Sequence, residues 1–172
     1  NKGICIIDLD TVMPGLSLYD FGDSIRFGAN TAAEDEKDLS KVTLSLPLYE
    51  AYVKGYLGSA KDALTDLEKD LLPMGAKMMT YECGIRFLTD YLNGDIYFHI
   101  DYPEHNLDRT RCQIVLAKDM LGKMDDMKKI ICDYCESDYI YEDEAARSCS
   151  HICHKKGAVA ELWKIVAVIF RF

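Results

Sequence analysis

Three carboxylates near the start of the chain have the types and spacing of a cation site. Asp8 and Asp10 end a short β-branched run, residues 3–9, and Asp20 follows a turn at 13–15. A strand ending there would present both carboxylates at its carboxyl end, and Mg²⁺ prefers carboxylate, phosphate and water oxygens. Aspartates at strand ends are also common turn and cap residues, so the residues alone leave a purely structural role open as the alternative.

The elements that must position these carboxylates are mostly helical. After the predicted strand, apolar residues at helical spacing and flanking turn residues predict helices over 18–27, 46–58, 65–92 and 106–131. Pro47 suits a first helical turn, Pro73 predicts a kink or break, and Asn106 is a candidate N-cap. The sequence therefore predicts a mainly α fold with a short N-terminal β element.

Two connecting segments have weaker patterns. The acidic stretch 31–40 is expected to be a solvated loop or a short helix without a special role, and 96–100 is expected to be a brief extended piece. In the last predicted helix, the candidate inner positions are Ile114, Leu116, Met120, Leu121, Met124 and Met127.

Composition limits the class of protein and its partners. The 172 residues are 49% hydrophobic, which is typical of a globular domain, and a chain of this length folds without needing a disulfide or a metal. The net charge of −9 argues against nucleic acid or an anionic membrane as a partner. No apolar run reaches the length of a membrane span, since the nearest, 158–170, contains Glu161 and Lys164.

Four segments in order resemble one enzyme family. IDLDTVMPG, YDFGDSIR, GIRFLTDYLNGD and HNLDRTR, all within residues 1–130, are similar to segments of the bacterial N-acetylhexosamine 1-kinases, in the aminoglycoside phosphotransferase and choline kinase superfamily. The resemblance implies the C-terminal lobe of a protein-kinase-like fold. It also implies ATP and Mg²⁺ as cofactors, and transfer of phosphate to a sugar hydroxyl at the anomeric position of an N-acetylhexosamine.

The resemblance assigns the metal and nucleotide contacts to the first motif. Asp8 would be the magnesium-holding aspartate, and Asp10 would assist it directly or through water. Asp20 would have a structural role, bracing the catalytic loop by hydrogen bonds.

The resemblance also points to acceptor contacts. Phe27 would pack against the sugar, and Arg86 would hold its oxygens with a guanidinium fork. Each residue also has a purely structural alternative role. Phe27 would occupy a position in the core, and Arg86 would form a buried ion pair with Asp90. Arg109 is a further candidate, although the polar cluster it belongs to, His105, Asp108, Arg109 and Arg111, is expected to fasten the last helix.

The family's catalytic loop and N-lobe are not found in these residues. The family pattern of His-x-Asp followed by Asn is expected upstream of Asn1, as is the N-lobe that binds the nucleotide. We therefore expect the sequence to be a piece of a longer enzyme, with no catalytic residue of its own and no activity in isolation. The missing N-lobe is then an expected partner, beside ATP and the sugar.

The resemblance ends near Ile131, and the region 132–172 is a separate, cysteine-rich tail. Its cysteines and histidines suggest a zinc site, but their spacing is also compatible with free thiols: Cys132, Cys135, Cys149, His151, Cys153 and His154. Seven cysteines without a visible secretion signal favour a reducing compartment, and we expect the cytoplasm.

Two alternative functions remain open at this point. One is phosphorylation of another acceptor, such as an aminoglycoside, choline or homoserine, because acceptor pockets vary within one fold. The other is a non-catalytic helical module with a metal-binding tail.

Overall fold

The computed structural model describes residues 12–136, and 73% of them are helical. This part contains α1 (Ser17–Gly28), α2 (Leu46–Ala60), α3 (Asp66–Leu92), α4 (His105–Gly122) and α5 (Met124–Glu136). Single 3₁₀ turns lie at Leu39–Lys41 and Lys61–Ala63. Residues 12–136 contain no β-strand, only an isolated bridge between Asn30 and Leu44. The mainly α prediction is confirmed for this part, whereas the strand expected at 3–9 lies outside the described residues.

Helix α3 is the central element and contacts both α1 and α4 extensively. At its crossing with α1, a Cβ atom added to Gly22 would lie 2.5 Å from the carbonyl oxygen of Gly75. A Cβ on Gly75 would in turn lie 2.9 Å from the carbonyl oxygen of Leu18. The two backbones therefore approach so closely that only glycine fits on either side of the contact.

The core lies where all five described helices meet. Each helix contributes buried apolar side chains: Leu18, Phe21 and Ile25 from α1, Tyr49, Val53 and Leu57 from α2, Leu72 and Ala76 from α3, Leu116 and Met120 from α4, and Met127 and Ile131 from α5. Of the expected inner positions after Asn106, Ile114 and Leu121 are exposed, and the others are buried. None of the helices within 12–136 is both long enough and apolar enough to cross a bilayer.

The predicted starts of α2 and α3 are confirmed, and both are capped by a side chain. Ser45 accepts a hydrogen bond from the backbone N–H of Leu48, at 3.4 Å, at the start of α2. Thr65 and Glu68 form a reciprocal capping box at the start of α3. Helix α3 is continuous through the buried Pro73, so of the predicted kink or break at this residue the break is wrong. The capping box and the buried neighbours of Pro73 outweigh the one backbone hydrogen bond that proline cannot donate.

The single helix expected over 106–131 is divided at Lys123. The backbone N–H of Lys123 ends α4 by donating to the carbonyls of Asp119 and Met120, and α5 begins at Met124. Asn106 does not cap α4, because the N-cap is Glu104, which has a left-handed backbone with φ of 70°. Asn106 lies inside the helix and is fully buried.

The acidic stretch 31–40, expected to be solvated, is fastened to the helices. Three consecutive residues each have a partner there: Glu34 pairs with Arg26, Asp35 accepts from Nε2 of His105 at 3.2 Å, and the carbonyl of Glu36 accepts from Sγ of Cys112 at 3.0 Å. These contacts hold the segment against α1 and α4. Sequence composition does not reveal them, because the partners are distant along the chain.

Asp119 anchors the end of the same α1–α2 connection. Its Oδ2 accepts hydrogen bonds from the hydroxyl of Thr43 and the backbone N–H of Leu44, both at 2.7 Å. Lys123 donates from Nζ to Asp119 at 2.7 Å and to the carbonyl of Leu44 at 2.8 Å. Burial acts to raise the pKa of Asp119, but these hydrogen bonds outweigh it and hold the pKa below its ordinary value.

The glycine contact predicts a strong asymmetry between two Gly→Ala substitutions. Gly22→Ala forces a methyl group against backbone atoms of α3, and we expect a loss of about 1 to 3 kcal/mol in the free energy of unfolding. Gly55→Ala, in α2, meets open space and is expected to be neutral or to stabilise by up to about 1 kcal/mol. Urea unfolding of the two variants measures the difference. Equal stabilities would contradict the close crossing of α1 and α3.

Candidate functional site

A cleft of about 490 Å³ opens between α1, α3, the start of α4 and the segment 93–104, which we call the cleft loop. It is lined by residues from three of the family-like motifs, including Asp20 from α1, Arg86 from α3 and Arg109 from α4. Phe98 and His99 of the cleft loop complete this wall. Its volume is in the range of small-molecule binding sites.

The structure thus brings together three of the residues singled out from the sequence and separates a fourth. Phe27 is 72% exposed and is not among the residues lining the cleft. Its neighbour Arg26 lines the cleft, and adjacent positions on a helix point about 100° apart, which turns Phe27 away. Phe27 is neither a platform in this cleft nor a core residue. Asp8 and Asp10 lie outside the described residues.

Two phenylalanines and two arginines form a layered wall. The rings of Phe87 and Phe98 have centroids 4.7 Å apart. The guanidinium of Arg86 lies 5.4 Å from the centroid of Phe98, and that of Arg109 lies 5.4 Å from the centroid of Phe87. Cation–π contacts orient a guanidinium without consuming its N–H donors. The wall therefore offers apolar ring surface beside hydrogen-bond donors.

Arg86 is held loosely by its carboxylate neighbour. Its Nε lies 3.7 Å from Glu82, and both side chains are about half exposed, so the pair contributes little. The buried ion pair with Asp90, considered from the sequence, is not formed. The hydrogen bonds of Asp90 go to the cleft loop and to Asn106 instead.

Arg109 is held more firmly. Its Nη1 donates to the carbonyl of His99 at 3.1 Å and to Oδ1 of Asn106 at 3.0 Å. Because the guanidinium group is planar and rigid, these two contacts also fix the directions of its other N–H groups.

Asp90 is a functional candidate that the sequence analysis did not identify. Burial acts to raise its pKa, but hydrogen bonds from the backbone N–H groups of 96–98 and from Asn106 outweigh it, so the pKa lies below its ordinary value. The available signal was the turn Asn93-Gly94-Asp95, which follows α3 directly. A turn there, with positive φ at Gly94 and Asp95, folds the chain back toward Asp90.

Two further ionisable groups of the cleft, Arg26 and Cys83, are either paired with opposite charge or held neutral. Arg26 pairs with Asp23 at 2.8 Å and with Glu34. Burial acts to lower the pKa of Arg26, but these two hydrogen bonds raise it above its ordinary value. Burial raises the pKa of Cys83 to about 11, so this cleft residue is a neutral thiol at pH 7. Arg26 is thus held by two carboxylates, and Cys83 lacks the lowered pKa of an activated nucleophile.

The rest of the polar cluster on α4 has structural partners. His105 is buried and its Nδ1 accepts from the backbone N–H of Asp101 at 3.1 Å. Asp108 accepts from the hydroxyl of Tyr102 at 3.2 Å and from Arg111 at 2.7 Å. These contacts fasten the cleft loop to α4.

The predicted metal sites fall on parts of the chain that the structure does not describe. Asp8 and Asp10 precede residue 12, and of the tail residues considered for zinc, Cys149, His151 and Cys153 follow residue 136, as does His154. Between residues 12 and 136, no group of three or more His, Cys, Asp or Glu side chains is arranged to hold a metal ion.

In a comparison with protein-family models, no model matches this chain. The resemblance to N-acetylhexosamine kinases therefore remains a prediction drawn from the four motifs.

The surroundings of Cys83 predict slow thiol chemistry. Its pKa of about 11, against 9.0 for an ordinary thiol, lowers the thiolate fraction at pH 7 about a hundredfold. We expect iodoacetamide to modify Cys83 at least tenfold more slowly in the folded chain than in urea, as measured by peptide mass spectrometry. Equal rates in the two states would contradict the burial of this side chain.

Proposed function

We propose that these residues form the acceptor-binding part of an ATP-dependent phosphotransferase, and that the cleft holds a sugar, N-acetylhexosamine, with its anomeric hydroxyl as the acceptor. The observation that carries this proposal is the convergence of three motifs. Residues of YDFGDSIR, GIRFLTDYLNGD and HNLDRTR line the same cleft, although they are far apart along the chain. Such convergence is expected when the motifs serve one site.

The composition of the cleft suits a sugar. Phe98, which is half-buried and is backed by the buried ring of Phe87, offers apolar surface for a pyranose face. Arg86 and Arg109 offer N–H donors for hydroxyl or acetamido oxygens. Asp20, also on the lining, keeps in this proposal the structural role that the resemblance implies, bracing the catalytic loop by hydrogen bonds. The lining also carries the carboxylates of Asp20, Asp23, Glu34 and Glu82 beside the guanidinium groups of Arg26, Arg86 and Arg109, so a cationic acceptor, an aminoglycoside or choline, is the alternative that an acceptor screen must include.

The remaining parts of the reaction belong to other residues. In this proposal Asp8 and Asp10 hold Mg²⁺, which supplies neutralisation of the charge on the transferring phosphoryl group. The resemblance assigns the proton-accepting aspartate and most of the nucleotide site to segments outside these 172 residues. The proposal therefore concerns the complete protein to which they belong.

The first test is an acceptor screen with the complete open reading frame, ATP and Mg²⁺. We expect phosphorylation of N-acetylglucosamine or N-acetylgalactosamine at the anomeric position, and Arg86→Ala is expected to raise KM for the sugar roughly tenfold, because a hydrogen bond from a charged group is lost. KM for ATP is expected to stay unchanged.

The control for Arg86→Ala is Lys54→Ala. Lys54 is also an exposed cation on a helix, but it lies on α2 and does not line the cleft. Its removal is expected to leave both KM values unchanged. Phosphorylation of none of the sugars, or equal effects of the two substitutions, would overturn the assignment of the cleft.

The metal assignment is tested separately by Asp8→Asn in the complete protein. We expect loss of nearly all phosphoryl transfer, because an amide binds Mg²⁺ much more weakly than a carboxylate, with no change in the free energy of unfolding. Asp62→Asn, at an exposed aspartate away from the cleft, is the control and should retain full activity. Retained activity in Asp8→Asn would contradict the role of Asp8.

A further inference from the structure

We propose that Asp90 is a positioning residue of the cleft: it does not line the cleft itself but holds both Phe98 and Arg109, which do. The inference rests on the proposed function for its consequence in catalysis. Its structural basis is a branched set of hydrogen bonds that begins at one buried carboxylate. Asp90 lies near the C-terminus of α3 and is 6% exposed.

The first branch fixes the backbone of the cleft loop. Oδ1 of Asp90 accepts from the N–H groups of Ile96, at 3.0 Å, and Tyr97, at 2.8 Å. Oδ2 accepts from the N–H of Phe98 at 2.9 Å. This segment belongs to neither a helix nor a strand, so these three donors depend on the carboxylate for partners. Holding three successive amides sets the direction in which the Phe98 ring meets Phe87.

The second branch reaches Arg109 through the side chain of Asn106. The Nδ2 group of Asn106 donates to Oδ2 of Asp90 at 2.9 Å and to Asp95 at 2.8 Å. Because both amide hydrogens point at carboxylates, Oδ1 is directed the other way and accepts from Nη1 of Arg109 at 3.0 Å. The orientation of one buried amide, set by Asp90 and Asp95, thus fixes a guanidinium in the cleft wall.

Two carboxylate oxygens are needed for both branches. An asparagine at this position has one accepting oxygen. Its NH₂ group would face either the N–H groups of Ile96 and Tyr97, or the N–H of Phe98 together with the amide of Asn106. In either orientation Asp90→Asn removes an acceptor from the cleft loop while changing the volume of the side chain very little. The variant therefore tests how these hydrogen bonds position the cleft residues, while the packing around residue 90 stays nearly unchanged.

Asp119 supplies the matched control. It too is a helical carboxylate that accepts from the backbone N–H of a neighbouring loop, that of Leu44, and its pKa is likewise lowered. Asp119 lies near the opposite end of α4 from Arg109 and does not line the cleft. Asp119→Asn should therefore lower stability without changing the cleft.

The experiment compares Asp90→Asn and Asp119→Asn in the complete protein by kinetics and by amide hydrogen exchange. For Asp90→Asn we expect KM for the sugar to rise at least tenfold with KM for ATP unchanged, and the amides of 96–98 to exchange at least tenfold faster. For Asp119→Asn we expect faster exchange at 43–45 and an unchanged KM for the sugar.

A second variant covers the case in which Asp90→Asn does not fold. Asn106→Ala removes the link to Arg109 and the contact with Asp95, but it leaves the three backbone N–H donors of 96–98 on Asp90. It should raise KM for the sugar while the amides of 96–98 exchange at the wild-type rate. Unchanged exchange at 96–98 in Asp90→Asn, or the same KM change in both aspartate variants, would overturn the inference. If the unaltered protein phosphorylates no acceptor, the proposed function fails, and exchange at 96–98 still decides whether Asp90 holds the loop.

Discussion

The close contact of α1 and α3 at Gly22 and Gly75 is the constraint on which the rest of the described fold depends. It sets two helix backbones at a separation that excludes any side chain. Residues that follow on each helix, including Arg26 on α1 and Arg86 on α3, then line the same cleft. A wider crossing would separate the walls of the site as well as weaken the core.

Two carboxylates accept hydrogen bonds from backbone N–H groups that a β-sheet would pair in another fold. Residues 12–136 contain no strand, yet two long connections must be held against the helices with their backbone polar groups satisfied. Asp119 holds the end of the α1–α2 connection, and Asp90 holds the cleft loop. In both cases an ionised acceptor collects several donors, which makes stronger hydrogen bonds than a neutral acceptor makes. The stability these two residues contribute is present above the ordinary aspartate pKa and is lost as the pH falls through their lowered values.

The predictions from sequence succeeded where the controlling interactions are local. The starts of α2 and α3 were predicted from Pro47 and from the apolar periodicity, and both are set by local contacts: the side chains of Ser45 and Thr65 cap residues only three positions away. They failed where distant partners decide the outcome. Pro73 does not break α3, because buried packing compensates for one missing hydrogen bond. The acidic stretch 31–40 is not simply solvated, because α1 and α4 supply partners for it.

The same distinction applies to the candidate site. Arg86 and Arg109 were identified from motifs, but their shared cleft with Asp20 depends on helix packing that no local pattern encodes. Phe27 was assigned from its motif and lies elsewhere, since one step along a helix turns a side chain away. Asp90 was considered only as a partner of Arg86, because its real partners are backbone N–H groups, which have no signature in the side-chain sequence.

The most direct test is to measure which backbone amides a bound sugar protects from hydrogen exchange. In the complete protein, with Mg²⁺ and a non-hydrolysable ATP analogue, saturating N-acetylglucosamine or N-acetylgalactosamine should protect the amides around Arg86, of the cleft loop and around Arg109. The amides of α2, which does not line the cleft, should be unaffected. Protection confined to other parts of the chain, or none at all with either sugar, would contradict the claim that this cleft is the acceptor site.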